Sequence, residues 1–565
     1  MWLGVLHVTR ITTLTHLNSD LLFLIELHRE LFVAPLDVSH WHLPGVLSVF
    51  PEMPLLFPLL SSGATLGQAL FLYGVLFSTL IVLALQRVLC ELSADPLRSL
   101  LFSTVAGLVL VAALVGADAP LPVFLWPSYH GGTILAGLAL LAITLRVHRL
   151  GWSRLRFIAF VAVLAPAALS DQFVVLQFAL PLLGAGWLAR RRGLTSAATF
   201  RTTLLAVAVS GVLVLLAVKS VYVFTHLDLN MNSAFRLVDW LVTPKLLAAL
   251  VIAVGLGALL VSRRPPWQLL AVSAVIALGF LGCVARSSVR VGATWLGGHA
   301  YDASFTLGRL ALANPSLLGL ALLSVGACAW LHFRVRDQRA TAHLVPLLLL
   351  IVEATFVGLI AGWDGLGNIR YAQPLYVLPP MVLAAIAVMV PERIPSQLRR
   401  GGLAVAIGFG LWRVLAPLGD AGATTLATPY PAELRCLDEQ RALHNLHDGY
   451  GDYWATRLYN TLSHRGPSLH PLKSTTLAVD NIIANPATLR NADGGPARPD
   501  FALVLRWARP DNGVGNIAAL DRAALVARVG PPATQIPCGD LDVFIYDRPS
   551  DARFRALLPV DTAER

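Results

Sequence analysis

The chain has 565 residues, of which 56% are hydrophobic and only 13% are charged, and its formal net charge is +10. A soluble protein carries about 25% charged residues, so this composition excludes an ordinary water-soluble globular protein and indicates a membrane protein. The positive charge requires no nucleic-acid partner, because the cytoplasmic loops of membrane proteins are enriched in Lys and Arg.

A membrane-spanning helix needs about 20 mostly apolar residues, and segments of this kind recur along the chain. The predicted spans are 1–17, 66–87, 99–116, 130–146, 157–169, 172–189, 203–219, 246–262, 268–284, 316–332, 343–362, 374–390 and 402–418. The first is the weakest, because it is short and carries His7 and Arg10. We therefore predict an α-helical polytopic membrane protein with about 13 transmembrane helices.

The orientation follows from the basic residues in the short loops, which lie mainly on the cytoplasmic side. One set of alternate loops contains Arg87, Arg98, Arg146, Arg149, Arg154, Arg156, Arg190, Arg191, Arg192, Arg201, Arg263, Arg264, Arg334, Arg336, Arg339, Arg393, Arg399 and Arg400. The other set contains only Arg29, Lys219, Arg236, Lys245, Arg286, Arg290, Arg309 and Arg370. We therefore predict a multi-pass protein of the plasma (inner) membrane with a cytoplasmic N-terminus.

This orientation places the long polar loops on the extracytoplasmic side, where we expect the chemistry to lie. The predicted outer loops are 18–65, 220–245, 285–315 and 363–373. Together with the spans they form a transmembrane domain over residues 1–419.

Residues 420–565 are poor in apolar runs and rich in Gly, Pro, Asn and Asp. Segment 434–464 is predicted to be helical, whereas Phe501–Trp507 and Leu541–Tyr546 have the pattern of β-strands. We predict a small extracytoplasmic α/β domain here.

The cysteines fall into two groups. Cys90, Cys283 and Cys328 lie in or beside apolar runs, where a cysteine is usually a small buried hydrophobic residue. Cys436 and Cys538 bracket most of the C-terminal region. If that region is extracytoplasmic, we expect a disulfide between them.

The first outer loop begins and ends with a carboxylate. Asp20 opens a stretch to Phe32 that has the pattern of an amphipathic helix lying in the membrane interface, and Glu52 directly precedes the next span. Each carboxylate has a structural interpretation: Asp20 as a helix cap, and Glu52 in the first turn of the next helix. Their pairing at the two ends of one loop favours a site instead.

Further short motifs lie on the same predicted side of the membrane. They are Ser128-Tyr129-His130-Gly131-Gly132, Leu169-Ser170-Asp171, Asn368-Ile369-Arg370-Tyr371 with Pro374, and Gly449-Tyr450-Gly451-Asp452-Tyr453-Trp454. In their order, and together with Asp20 and Glu52, they resemble the GT-C superfamily of membrane glycosyltransferases, in particular its bacterial mannosyltransferase-like branch.

The resemblance implies transfer of a sugar from a polyprenyl-phosphate-linked donor to a lipid, glycan or protein acceptor on the outer face. Asp20 would be the catalytic base, and Glu52 a second catalytic carboxylate that orients the acceptor or helps to bind a metal. Many relatives carry two adjacent acids in this loop and Asp20 has no acidic neighbour. No cofactor is therefore assigned, and a divalent metal is left as an alternative.

A leaving phosphate needs positive charge, which a guanidinium supplies through forked N–H donors. The residues predicted to bind the donor phosphate are Arg370, Tyr371, His130, Arg286 and Arg290. The residues predicted to contact the acceptor or the sugar are Asp171, His299, Asp302, Trp363 and Asp364.

Each of these residues also has a structural interpretation. Arg370 is equally consistent with an interfacial arginine, Asp171 and His130 with helix caps, and Trp363 with the aromatic belt.

Two other functions are consistent with the pattern. A transporter or flippase of lipid-linked glycans should carry charged residues within its spans, and Glu353 is the clear mid-span acid. The third hypothesis is a non-catalytic membrane subunit that presents the C-terminal domain to a partner. The long polar loops and the C-terminal domain, all predicted to lie outside the membrane, favour the glycosyltransferase over these two alternatives.

Overall fold

The structure is a computed structural model. It describes residues 1, 4–6, 8–9, 19–33, 47–93, 95–115, 124–128, 130–191, 193–224, 314–334, 373–389, 396–415, 430–466, 469–473, 476–478, 499–505, 520–546, 552–555 and 557. Within these residues the chain is mostly helical, with one small sheet near the C-terminus.

The helices of the membrane region are numbered in chain order over the described residues. They are α1 (Ser19–His28), α2 (Glu52–Ser61), α3 (Leu66–Ser93), α4 (Pro96–Leu114), α5 (Gly131–Leu150), α6 (Arg154–Ser170), α7 (Leu180–Arg191), α8 (Ala197–Phe224), α9 (Pro315–Arg334), α10 (Gln373–Met389) and α11 (Ser396–Leu415). Two π-helical turns, Arg29–Val33 and Val175–Ala179, adjoin α1 and α7.

Four described helices are long and apolar enough to cross a membrane: α3, α4, α5 and α8 over Ala197–Val218. They coincide with the predicted spans 66–87, 99–116, 130–146 and 203–219, so the helical character of those segments is confirmed. The predicted spans 246–262, 268–284 and 343–362 lie outside the described residues, as does most of 1–17.

Local sequence signals explain where these helices begin. The Asp95 carboxylate accepts a hydrogen bond from the Arg98 N–H at 3.1 Å, and Pro96 occupies the first helical position of α4. Ser153 caps α6 in the same way, with its hydroxyl oxygen accepting from the Arg156 N–H at 3.3 Å.

The helix α3 lies at the centre of the bundle, where it packs against α4, α5 and α10. Its Tyr73 and Phe77 rings are stacked with centroids 5.7 Å apart and are fully buried. The Phe77 ring also meets the Phe124 ring edge-on, which joins α3 to the segment before α5.

A buried glutamate joins the C-terminal ends of α3 and α5. The Glu91 carboxylate lies 3.3 Å from a guanidinium nitrogen of both Arg146 and Arg149, and 3.6 Å from one of Arg87. Its side chain is only 3% exposed. The arginines that the sequence assigns to cytoplasmic loops therefore meet at one end of the bundle.

The interpretation that Glu52 lies in the first turn of the next helix is confirmed, although that helix, α2, is separate from the following span. Helix α2 ends at Ser61, and Gly63 adopts a left-handed conformation (φ 81°) that ends the helix and lets α3 start in a new direction. The predicted helix after Asp20 is confirmed, since Ser19–His28 is helical and continues into Arg29–Val33. Its predicted amphipathic character is wrong, because Glu26, His28 and Glu30 are buried whereas Leu31 and Phe32 are exposed.

The C-terminal region contains a five-stranded sheet flanked by helices. Its elements are α12 (Ala432–Leu443), β1 (Asp448–Gly451), α13 (Tyr453–Leu462), β2 (Leu469–Pro471), β3 (Pro499–Leu505), α14 (Arg522–Val529), β4 (Thr534–Cys538), β5 (Leu541–Ile545) and α15 (Ala552–Arg555). The strand order is β2-β1-β3-β5-β4. Strand β1 is parallel to β2 and β3, and β5 is antiparallel to β3 and β4.

The predicted strands near residues 501–507 and 541–546 are confirmed as β3 and β5. The prediction of a continuous helix over 434–464 is wrong, because β1 divides it into α12 and α13. At Gly449 an added Cβ would lie 2.5 Å from the Phe501 ring, so β1 reaches β3 only because this position has no side chain.

A disulfide joins Cys436 in α12 to Cys538 at the end of β4, as expected, with Cα atoms 5.6 Å apart. It closes a sequence separation of 102 residues. A cross-link over so long a loop restricts the unfolded chain strongly.

We expect the Cys436→Ala/Cys538→Ala variant to unfold more easily, by about 2–5 kcal/mol, because the unfolded chain regains entropy. Chemical denaturation followed by fluorescence measures the change. In the parent protein, a thiol reagent applied after denaturation without reductant should leave both cysteines unmodified. Modification of either one under those conditions would show that the bridge is not formed.

Candidate functional site

The N-terminus of α5 lies against the middle of α3 rather than beside its end. A Cβ added at Gly131 would lie 2.9 Å from the Phe77 ring and 2.7 Å from the Phe124 carbonyl oxygen, so the two helices meet at backbone distance. The eleven residue-to-residue steps from Leu66 to Phe77 rise about 16 Å along a helix. The start of α5 is therefore recessed by that depth from the N-terminal end of α3.

The Glu52 carboxylate contacts α5 at the next residue, Gly132. A Cβ at Gly132 would lie 2.5 Å from Pro51 Cδ and 2.8 Å from Glu52 Oε1. The Gly132 N–H donates a hydrogen bond to this carboxylate. A negative charge at the N-terminus of a helix is favourable, because the peptide dipoles and the unpaired N–H groups point towards it.

Within the described part of the chain, the Glu52 carboxylate nonetheless has hydrogen-bond partners for only one of its two oxygens. The residue is 4% exposed, and its Oε2 atom is buried with no hydrogen-bond partner among the residues that the structure describes. An unpaired carboxylate oxygen in a buried position is costly unless a proton or a ligand reaches it. This cost makes Glu52 stand out as a functional residue rather than a simple helix cap.

A second carboxylate, Asp171, reaches the first turn of α5 from the end of α6. Its Oδ2 atom lies 2.7 Å from His130 Nδ1 and accepts a hydrogen bond from the Thr133 hydroxyl at 2.5 Å. Its Oδ1 atom accepts from the Phe173 N–H at 3.0 Å. All of these contacts are buried or half-buried, so the imidazole of His130 is held in one orientation.

Burial alone would raise the pKa of Asp171, but attraction to His130 and the hydrogen bonds from His130, Thr133 and Phe173 outweigh it. The pKa of Asp171 therefore lies below its ordinary value, and the group is a carboxylate at neutral pH. An oriented histidine beside a carboxylate can exchange a proton with a ligand or donate a hydrogen bond to a phosphate oxygen.

His130 occupies the N-cap position of α5 in a left-handed conformation (φ 62°), and its side chain makes no capping hydrogen bond. The interpretation of His130 as a helix cap is thus confirmed for its position, although its ring turns to Asp171 and does not itself cap the helix. Asp171 was interpreted either as a helix cap or as a site residue. It lies at the C-cap of α6, and its side chain contacts His130, so its position is consistent with both interpretations.

Hydrogen bonds between backbone segments fix Glu52 relative to Asp171. The Phe50 N–H donates to the Ser170 hydroxyl at 2.5 Å, and the Ser48 N–H donates to the Ser170 carbonyl at 3.3 Å. The chain that enters α2 is thus attached to the end of α6, one residue before Asp171. This attachment keeps the two carboxylates at the same end of α5.

Three more buried polar groups lie on the elements that form the site. Tyr73 on α3 and Trp126 and Ser128 before α5 each have a buried polar atom with no hydrogen-bond partner among the residues of this structure. Burying such a group unpaired is unfavourable, and a hydroxyl-bearing ligand would satisfy it. From the sequence, Ser128 was quoted within a motif without a role, and Tyr73, Trp126 and Thr133 were missed, although Thr133 directly follows Gly131-Gly132 of that motif.

Of the predicted site residues, the structure brings Glu52, His130 and Asp171 together at the start of α5. Asp20 lies on α1, and its side chain is outside the described residues. The predicted residues Arg370, Tyr371, Arg286, Arg290, His299, Asp302, Trp363 and Asp364 also lie outside the described residues.

The helix that carries Asp20 is attached to the helix that begins with Glu52. The imidazole of His28 at the end of α1 lies 2.8 Å from the Ser61 hydroxyl at the end of α2. The His28 ring also meets the Phe57 ring, with centroids 5.3 Å apart. The two helices, each of ten residues, therefore meet at their C-terminal ends.

Metal binding has no support among the residues that the structure describes, because no three His, Cys, Asp or Glu side chains there are grouped as metal ligands. No protein-family model matches this sequence, and no curated protein matches it. Function must therefore be argued from the site itself.

We expect Asp171→Asn to destabilise the protein by about 2 kcal/mol, because the amide cannot accept all three hydrogen bonds and cannot compensate charge on His130. Since the pKa of Asp171 is lowered by folding, its contribution is present at neutral pH and is lost only as the pH falls below about 4. Unfolding followed by fluorescence at pH 7, at pH 4 and at about pH 2.5 measures both effects, and the difference between the variant and the parent protein should shrink only at the lowest pH.

The matched control is Asp95→Asn, which also removes a carboxylate next to a helix but leaves an amide that can cap it. Its effect should stay within about 0.5 kcal/mol of the parent protein. Equal effects of the two variants at pH 7 would contradict the assigned role of Asp171.

Proposed function

We propose that this protein is a membrane glycosyltransferase that moves a sugar from a polyprenyl-phosphate-linked donor to a lipid, glycan or protein acceptor on the extracytoplasmic face. The observation that supports it most is the convergence of Glu52, His130 and Asp171 on the recessed start of α5. These residues come from three separate segments of the chain. They were selected from the sequence by their resemblance to the GT-C superfamily.

The proposed orientation rests on the two ends of the α3–α5 pair. At one end Glu91 is surrounded by Arg87, Arg146 and Arg149, as expected for a cytoplasmic end. The carboxylate site lies towards the other end. We therefore assign the site and the C-terminal domain to the extracytoplasmic side of about 13 spans, where the disulfide would also persist.

In the proposed reaction the acceptor hydroxyl attacks the anomeric carbon of the donor sugar. Its proton passes to the Asp20 carboxylate, a new C–O bond forms, and the bond from the anomeric carbon to the phosphate oxygen breaks. Polyprenyl phosphate leaves with the electron pair, and Arg370, Tyr371, Arg286 and Arg290 would stabilise its charge together with His130. Glu52 would hold the acceptor hydroxyl, and Asp171 would keep His130 oriented.

The test is a transfer assay in which the purified protein in lipid nanodiscs is incubated with a panel of polyprenyl-phosphate sugars and acceptor lipids. We expect product with the parent protein and a fall of at least about 100-fold in kcat/KM for Asp20→Asn, because the amide cannot accept the proton. Asp95→Asn, whose cap lies at the arginine-rich end, should retain parent activity. Transfer by Asp20→Asn at the parent rate would contradict the assigned base.

A second prediction concerns the close approach of α5 to Glu52. Gly132→Ala should lower kcat by about tenfold or more, because the added Cβ overlaps Pro51 and Glu52 Oε1 and must displace that carboxylate. Gly211→Ala is the matched control, since a Cβ at this glycine of α8 meets nothing within 4 Å. Equal activities of the two variants in the transfer assay would exclude a role for Glu52 at its observed position.

A further inference from the structure

The C-terminal domain holds the first-loop helix through a buried ion pair. Helix α13 of that domain packs against α1, although the two are separated by more than 400 residues in sequence. The Arg457 Nε atom lies 2.7 Å from Glu26 Oε2. The two side chains are 6% and 10% exposed, respectively, so both charges are almost completely removed from water.

Further contacts on the same two helix faces surround this pair. The Arg29 guanidinium, one turn beyond Glu26, donates to the Asn460 carbonyl oxygen at 3.3 Å. The Arg457 guanidinium also lies over the Tyr453 ring, 5.5 Å from its centroid. On α13 the residues Tyr453, Arg457 and Asn460 follow the spacing of a single helix face. Arg457 and Asn460 on this face of α13 therefore contact α1 and the residue that follows it, Arg29, directly.

A buried pair of this kind adds little stability compared with apolar residues, but it strongly opposes separation of its partners. If α1 moved away from α13, a carboxylate and a guanidinium would each lose a charged partner in a buried setting. The pair also favours one register between the helices, in which the Glu26 carboxylate lies opposite Arg457. It is therefore suited to setting a position.

Both sides of the contact are anchored. Within the C-terminal domain, the Asp452 side chain caps α13 by accepting from the Ala455 N–H at 2.8 Å, and Leu458 and Leu462 are buried. On the membrane side, α1 is attached to α2 through His28 and Ser61. A continuous series of contacts thus runs from α13 through α1 to α2, which begins with Glu52.

We propose that Arg457 is a positioning residue: through Glu26 it fixes the helix that carries Asp20 against α2, the helix that begins with Glu52. The catalytic consequence rests on the proposed function, whereas the placement of α1 does not. The C-terminal domain is then a structural part of the transfer site rather than an appended module.

The test measures hydrogen exchange of the full-length protein in nanodiscs, together with transfer kinetics. The variants are Arg457→Gln, Glu26→Gln and the double variant, which leaves no unpaired charge. Arg528→Gln is the control, because it removes an exposed arginine of the same domain on α14. Exchange in β3 and β5 reports whether the C-terminal domain remains folded in each case.

In all three interface variants we expect amide exchange over residues 19–33 to increase by about tenfold or more, while β3 and β5 remain protected. The transfer assay should show a fall in kcat with the KM for the donor nearly unchanged, since a displaced base affects the chemical step more than donor binding. The charge-swapped variant Glu26→Arg/Arg457→Glu should recover part of the protection over 19–33. Arg528→Gln should match the parent protein.

Parent-like protection of residues 19–33 in Arg457→Gln would overturn the proposal. So would loss of protection without any change in kcat in an active protein. If the parent protein transfers no sugar from any donor, the proposed function fails, and the exchange result alone then decides whether Arg457 positions α1.

Discussion

At the start of α5, two glycines permit an approach that no other residue would allow, and the arrangement of the site depends on this contact. Because Gly131 and Gly132 have no side chains, the backbone of α5 reaches Phe77 in the middle of α3 and the Glu52 carboxylate at the start of α2. The N-terminus of α5 is thereby recessed within the bundle. Its N–H groups face inwards, where they can stabilise negative charge.

The two carboxylates at the start of α5, Asp171 and Glu52, differ in their hydrogen bonding. Asp171 is saturated with hydrogen bonds from His130, Thr133 and Phe173, so it is a fixed structural carboxylate. Glu52 has a buried oxygen with no hydrogen-bond partner in the part of the chain that the structure describes. The first orients a histidine, and the second is available to a ligand. In the proposed reaction, Asp171 would position His130, and Glu52 would bind the acceptor hydroxyl.

Hydropathy and capping signals predicted much of the fold. Apolar length identified the four helices that are long enough to cross a membrane, and the polar surroundings of Cys436 and Cys538 pointed to their disulfide. The helix α1 was predicted, but not the burial of its charged residues. Features that depend on tertiary contact were not predictable in this way. The strand β1 interrupts a helical pattern because Gly449 packs under Phe501, and the Glu26–Arg457 pair joins segments that no local signal connects. The same limit applies to Tyr73, which is an ordinary aromatic residue until its place beside Glu52 is known.

The central claim is that one extracytoplasmic cavity contains the acid of the first loop, the start of α5 and the group that binds the donor phosphate. An electron cryomicroscopy structure in nanodiscs with bound polyprenyl phosphate tests it most directly. We expect the phosphate to lie within hydrogen-bond distance of His130 or Arg370, with the Asp20 and Glu52 carboxylates lining the same cavity. Phosphate bound elsewhere, or Asp20 on the opposite side of the bundle from Glu52, would contradict the claim.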